Sequence, residues 1–411
     1  MKLIIISLTF TTLFLYSTIM GNEKAIVCVP VADLIGQPLA SIYPEKNSND
    51  AYKTLSHCNG TLKNIRGCPR LHQLLYNDIV EIIKTEKEET CITISQAFHT
   101  TAESSKPQTT YWTLSSNIKK LNDVTHYCDP THIPSPLTFL NKKKQSSDTM
   151  IITLCTPHYD PHTQLTFSAG TRFVRDKNYS RKKKIKVYAI DYTKNKPYTL
   201  IIPSHKCITI HPNTTQDQKI EYYLTILKKW IRECNGIIPY VWGGTSFTSV
   251  IQPPYEEKKY NHNDIHYSSY HYINDCNVIK SGFDCSGLIL RAAQIAGIPY
   301  FYKNTTTIGQ YLQPITQENS ITNGDLIVIR GHVMVVSDVT KNMIIEARAY
   351  NHGYGKVHEI PLEKVFDGIA TYADLCNAFF HKKSLKRKDI HGNIRDSFPE
   401  FKILTIKSAW R

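Results

Sequence analysis

The sequence predicts an α+β chain in which two small β-barrels precede a C-terminal domain whose helices come before its antiparallel strands. Three observations carry this. Tyr (25) greatly outnumbers Trp (4) and β-branched residues are frequent, which favours sheet. Before Pro212 the apolar runs are short, partly alternating and separated by polar turns. From Gln216 onward helical spacing sets in, and three apolar strand runs follow it. At 411 residues the chain has room for two to four domains.

Residues 1–21 read as a secretory signal: Lys2, an apolar stretch from Leu3 to Tyr16, and Gly21 near a cleavage point. The stretch is short for a membrane span, and no later segment is apolar enough to be one. Residues 25–123 form the first β region. It opens on Ile26-Val27-Cys28-Val29, passes a polar loop from Glu45 to Gly67, and continues in the strand-forming run Gln73 to Ile83. Asn77 to Ile83 also reads as a helical turn. Residues 124–212 form the second β region, with strands expected at Met150–Cys155, Leu165–Phe167, Ile185–Asp191 and Tyr198–Ile202. Residues 216–405 form the third region. Tyr222, Leu224, Leu227, Trp230 and Ile231 space an amphipathic helix over Glu221 to Cys234. Asp325–Ile329, Val333–Val336 and Met343–Ile345 are its strand runs.

The net charge of +14 is concentrated in Lys142-Lys143-Lys144, Arg181 to Lys186 and Lys382 to Lys388. Such runs either attract a polyanion or form solvated loops. None is interleaved with aromatics as a single-strand nucleic-acid groove would be, so no nucleic-acid partner is expected. Eleven cysteines suit an exported chain. With Cys285 set aside, Cys28, Cys58, Cys68, Cys91, Cys128, Cys155, Cys207, Cys234, Cys276 and Cys376 remain for pairing in an oxidising compartment. None has Cys-x-x-Cys spacing, so neither a metal site nor a cofactor is expected.

The chemistry sits in Gly282-Phe283-Asp284-Cys285-Ser286-Gly287-Leu288-Ile289. A turn hands over to an Ala-rich helix, and Cys285 falls in its first turn. Unpaired N–H groups and the positive dipole end favour a thiolate there. His332 opens a β-branched strand and is the candidate base. Glu346, one turn and one strand later, is the candidate to orient it, with His352 and His358 as rivals. Asp284 opposes a thiolate, so an imidazolium at His332 is expected to be its main stabiliser, giving a resting thiolate–imidazolium pair. Pro239-Tyr240-Val241-Trp242-Gly243-Gly244 adds a tight turn with two aromatics. Core packing is the expectation for Trp242 rather than for Tyr240.

PYVWGGTS, GFDCSGLI, NGDLIVIRGHVMVV and IIEA together resemble the NlpC/p60-type cysteine peptidases of bacterial cell walls, over roughly Gln216 to Phe380. The resemblance implies a papain-like NlpC-type catalytic domain preceded by two bacterial SH3-like barrels. It makes Cys285 the nucleophile and His332 the base. It also implies that Tyr240, Asp284 and Ser286 bind substrate; a carboxylate and a hydroxyl there suit a peptide's free α-amino group. The third catalytic position, most often His in that family, aligns with Glu346. An insertion between Ser246 and Gly282, rich in Tyr and His, departs from the family pattern. The implied activity is hydrolysis of the γ-D-glutamyl–diamino acid bond of peptidoglycan stems, with preference for a free N-terminal L-alanine. The implied partners are peptidoglycan or released muropeptides, and the implied location is periplasmic or secreted. A non-catalytic wall-binding protein and another Cys/His hydrolase are the competing expectations.

Overall fold

The computed structural model describes residues 22–56, 68–100, 106–139, 150–179, 181, 183–233, 237–249, 281–317, 320–349 and 354–411. The signal segment, Cys58, Cys234, Cys276, His352 and nearly all of the insertion after Ser246 lie outside them.

In the first region seven strands form one antiparallel sheet. They are Glu23–Val27, Val31–Ile35, Arg70–Leu75, Ile79–Glu86, Glu89–Thr93, Thr110–Leu114 and Ile118–Lys120. Asn77 does not start a helical turn. It takes a left-handed φ of 70°, and the Asp78 carboxylate accepts from the Leu75 N–H at 2.8 Å, closing a turn between two strands. The polar loop expected from Glu45 contains a helix, Ser48–Ser56. Its polar composition conceals Ala51 and Leu55 four residues apart, which bury with Tyr52 against Ile35 and Trp112.

The second region is a five-stranded sheet with Ile151–Leu154, Arg172–Arg175, Lys184–Asp191, Lys196–Pro203 and Cys207–Ile208. A small hairpin, His158–Asp160 with Leu165–Phe167, lies beside it. Phe167 and Phe173 pack edge-to-face at 5.2 Å, and Tyr76 of the first sheet joins them at 4.6 Å from Phe167.

The third region begins with helix Gln216–Arg232. The Thr215 hydroxyl accepts from the Gln218 N–H at 3.2 Å, and the Gln218 side chain accepts from the Thr215 N–H at 2.9 Å. This capping box starts the helix upstream of the apolar spacing. A five-stranded antiparallel sheet follows, in the order Lys356–Pro361, Met343–Arg348, His332–Asp338, Leu326–Ile329, Lys402–Leu404. Alternation divides its residues between two layers. Val333, Val335, Ile345 and Ala347 pack in one core with Leu288 and Ile289 of helix Cys285–Ile295 and with Trp230. Met334, Val336 and Ile344 pack in another with Leu375 and Cys376 of helix Tyr372–Phe380.

The first core runs without a break into the N-terminal sheet, taking in Ala25, Val27, Leu34, Leu74, Ile92 and Phe98. Polar groups also cross this junction. The Gln73 side-chain oxygen accepts from the Thr245 N–H at 3.1 Å and from Ser246 Oγ at 2.7 Å, and Arg291 Nε donates to the Thr245 carbonyl at 2.8 Å. The bidentate pair of Arg70 with Asp33 sends a further N–H to the Trp242 carbonyl at 3.1 Å.

Cys28, Cys91, Cys128, Cys155 and Cys207 are free thiols, so the expected pairing does not extend to them. Burial pushes each of them up, Cys128 to about 11 and Cys207 to about 12, as suits small core-filling groups. Among the described residues no helix is long and apolar enough to cross a membrane.

Candidate active site

Helix Cys285–Ile295 begins where the short strand Gly282–Phe283 ends, with Asp284 as its N-cap in extended backbone. One Asp284 oxygen accepts from the Gly287 N–H at 2.6 Å and from Ser286 Oγ at 3.0 Å. The Asp284 carbonyl accepts from the Leu288 N–H. Gly287 is required: a Cβ there would collide with the Gly244 carbonyl. The two glycine-bearing motifs therefore press against each other backbone to backbone, which seats the helix start.

Cys285 is 8 % exposed, and its thiol lies against the N–H groups of Ser286 and of Val333, the residue after His332. No hydrogen bond joins the thiol to His332 in the described structure. A two-residue turn, Arg330-Gly331, makes His332 the first residue of its strand, opposite Ile329. Gly331 takes the left-handed φ of 77° that so short a hairpin needs.

His332 Nε2 lies 2.6 Å from Glu346 Oε2. Glu346 is fully buried and has three further partners: Arg387 Nη2 at 2.6 Å on the same oxygen, His358 Nε2 at 3.1 Å on the other, and Arg348 Nη1 at 3.7 Å. Burial opposes its ionisation, but Arg387, His332 and His358 outweigh that and hold its carboxyl well below the usual range. An ionised Glu346 only accepts, so Nε2 of His332 carries the proton and Nδ1 keeps a lone pair. His358 faces Glu346 directly from the neighbouring strand and is a second partner of the carboxylate.

The resting charge state differs from the sequence expectation. Burial, with Asp284 beside it, pushes the Cys285 thiol up to about 12. Burial and Arg387 lower His332 to about 4 despite Glu346. The unliganded pair is therefore a neutral thiol and a neutral imidazole. The helix dipole is worth about 1 kcal/mol, too little to offset burial of a thiolate beside a carboxylate.

Tyr240, not expected in the core, is 4 % exposed and belongs to the main apolar cluster; its backbone bridges to Phe283 and donates to the Gly355 carbonyl at 2.9 Å. Trp242, expected in the core, is 46 % exposed, while its carbonyl accepts from Arg70 at the turn. Asp284 and Ser286 both stand beside the thiol, but neither is unoccupied. Lys303 Nζ lies 2.5 Å from the second Asp284 oxygen and 3.3 Å from Ser286 Oγ.

Lys303, Arg387 and Arg348 were not legible as site residues. Arg387 belongs to the basic run Lys382 to Lys388, read as polyanion-binding or solvated, yet it is 3 % exposed. Its alternation with exposed neighbours in strand Leu385–Lys388 is the one signal that a side chain there turns inward. Lys303 follows Tyr300-Phe301-Tyr302, and that aromatic run is a signal for burial.

No protein-family model matches the chain, and no curated protein does. Several solved structures resemble it. One is an NlpC/P60 family protein from Bacillus cereus ATCC 10987, at 15% identity and TM-score 0.48, covering 86% of this chain and 97% of that one. Another is NlpC2 from Trichomonas vaginalis, at 12% identity and TM-score 0.30, covering 83% and 94%. NlpC1 from the same organism has 12% identity and TM-score 0.29, covering 85% and 91%. These three structural neighbours carry NlpC/P60 or NlpC names.

Proposed function

We propose that this protein is an NlpC/P60-type cysteine peptidase acting on cell-wall peptides, with Cys285 as nucleophile, His332 as base and Glu346 as the group that orients it. The observation that carries the reading is the 2.6 Å contact of His332 with a buried, ionised Glu346, together with a thiol on the first residue of the capped helix. We read the two N-terminal sheets as the SH3-like modules, the residues after 216 as the papain-like domain, and residues 1–21 as an export signal.

In the reaction, His332 Nδ1 takes the thiol proton as sulfur attacks the scissile carbonyl. Gly287 and Leu288 spend their N–H groups on Asp284, which leaves those of Cys285 and Ser286 for sulfur and the developing oxyanion. The tetrahedral intermediate collapses to a thioester as the C–N bond breaks, and the imidazolium gives its proton to the leaving amine. Water activated by His332 then hydrolyses the thioester. Because the resting pair is neutral, charge separation is confined to the steps in which Glu346 stabilises the imidazolium. Tyr240 is assigned to the wall of the substrate cleft. The bond is γ-D-glutamyl to the diamino acid of a peptidoglycan stem.

Mass spectrometry of L-Ala-γ-D-Glu-diamino acid, free and N-acetylated, incubated with wild type and Cys285→Ala protein tests this. Release of the diamino acid by wild type alone is expected. No cleavage of either peptide or of intact sacculi would overturn it.

A further inference from the structure

The carboxylate beside Cys285 already has an ammonium partner. Lys303 leaves the chain at a rigid point: its N–H donates to the Phe98 carbonyl at 2.9 Å, and the preceding Tyr302 forms a bridge with Phe98. Phe98, Tyr302 and Tyr311 pack ring on ring around this strip. The side chain is 5 % exposed and delivers Nζ to Asp284 at 2.5 Å and to Ser286 at 3.3 Å. Both Asp284 oxygens are then engaged, one by the Gly287 N–H and Ser286, the other by Lys303. Lys303 thus stands where an incoming α-ammonium would have to bind.

We propose that Lys303 is a specificity-determining residue that selects stem peptides whose N-terminal nitrogen is acylated, as in stems still joined to glycan, over peptides with a free α-amine. This rests on the peptidase reading above and refines its substrate class. A free α-ammonium brought to Asp284 meets a second cation beside a largely buried carboxylate, and one carboxylate does not balance two. An N-acyl group carries no charge. Lys303 donates to two acceptors, which leaves a third N–H for the acyl carbonyl oxygen. The preference for a free N-terminal L-alanine that the sequence resemblance implies is therefore reversed.

Calorimetric binding of acetyl-L-Ala-γ-D-Glu-diamino acid and of its free-amine form to Cys285→Ala protein tests the inference apart from catalysis. The acetylated peptide is expected to bind roughly tenfold or more tightly, and wild type to cut it with the higher kcat/KM. Lys303→Met, checked for fold by circular dichroism, is expected to narrow or invert the ratio; the wild-type ratio is decisive if that variant does not fold. Equal or tighter binding of the free amine, or binding of neither peptide, overturns the inference. Selective binding of the acetylated peptide with no cleavage leaves Lys303 in this role and removes the peptidase reading instead.

Discussion

Glu346 carries more of the site's electrostatics than any other side chain, because one buried carboxylate serves two histidines and two arginines. Glu346→Gln keeps the shape but loses the charge that stabilises an imidazolium, so kcat should fall roughly 10²- to 10⁴-fold in steady-state assays. His332 must be neutral to act as base. Its folded value is lowered to about 4, so the neutral form persists above that pH and is lost only as pH falls through it. The acid limb of kcat/KM should therefore lie near pH 4 to 5 rather than near the ordinary histidine value of about 6.5. Arg387→Met removes a cation that disfavours the imidazolium, so the limb should move toward neutral pH. The same change strips a partner from a buried carboxylate and should cost about 3 kcal/mol in denaturant melts. With its thiol pushed up to about 12, Cys285 should be alkylated by iodoacetamide at pH 7 more slowly than a free cysteine. Fast alkylation of Cys285 in the empty enzyme would restore the thiolate–imidazolium pair.

At the level of elements, the site depends on two backbone contacts rather than on propensity. Ten of the eleven residues of helix Cys285–Ile295 are buried. What fixes its first residue is the cap at Asp284 and the close approach of Gly287 to Gly244. Gly287→Ala should shift the helix start and with it the thiol, lowering activity well before it lowers helix content; comparing turnover with circular dichroism checks this. The strand bearing His332 is set by the turn at Arg330-Gly331. That turn was legible as an Arg-Gly pair between two β-branched runs, as was the Asp-Cys-Ser-Gly helix start. The helix at Ser48–Ser56 was not legible, because Ala51, Tyr52 and Leu55 acquire an apolar partner only from strands far along the chain.

Across the whole molecule, the N-terminal sheet shares the apolar core that seats the Cys285 helix. Ala25, Leu34, Leu74 and Phe98 share one apolar cluster with Leu288, Val335 and Ala347. Gln73, Thr245 and Arg291 add buried polar bonds that neither part can satisfy alone. Calorimetry should therefore show the N-terminal sheet and the catalytic region unfolding in one cooperative transition; two separate transitions would mean the junction is weaker than its buried contacts imply. The same junction brings Phe98 against Tyr302 and so aims Lys303 at Asp284.

The sequence by itself determined the nucleophile helix, the strand that His332 opens, the neighbouring strand with Glu346, and the order of β regions before an α+β region. These follow from local rules, since caps, turns and periodicity act over a few residues. Tertiary structure alone decided which charged groups surround the thiol and the imidazole. Arg387 comes from a hairpin beyond the sheet, and Lys303 is held by a strip of the N-terminal region. A thiol, an imidazole and a carboxylate titrate according to what is buried beside them, and no spacing along the chain records which cations the fold will bring there.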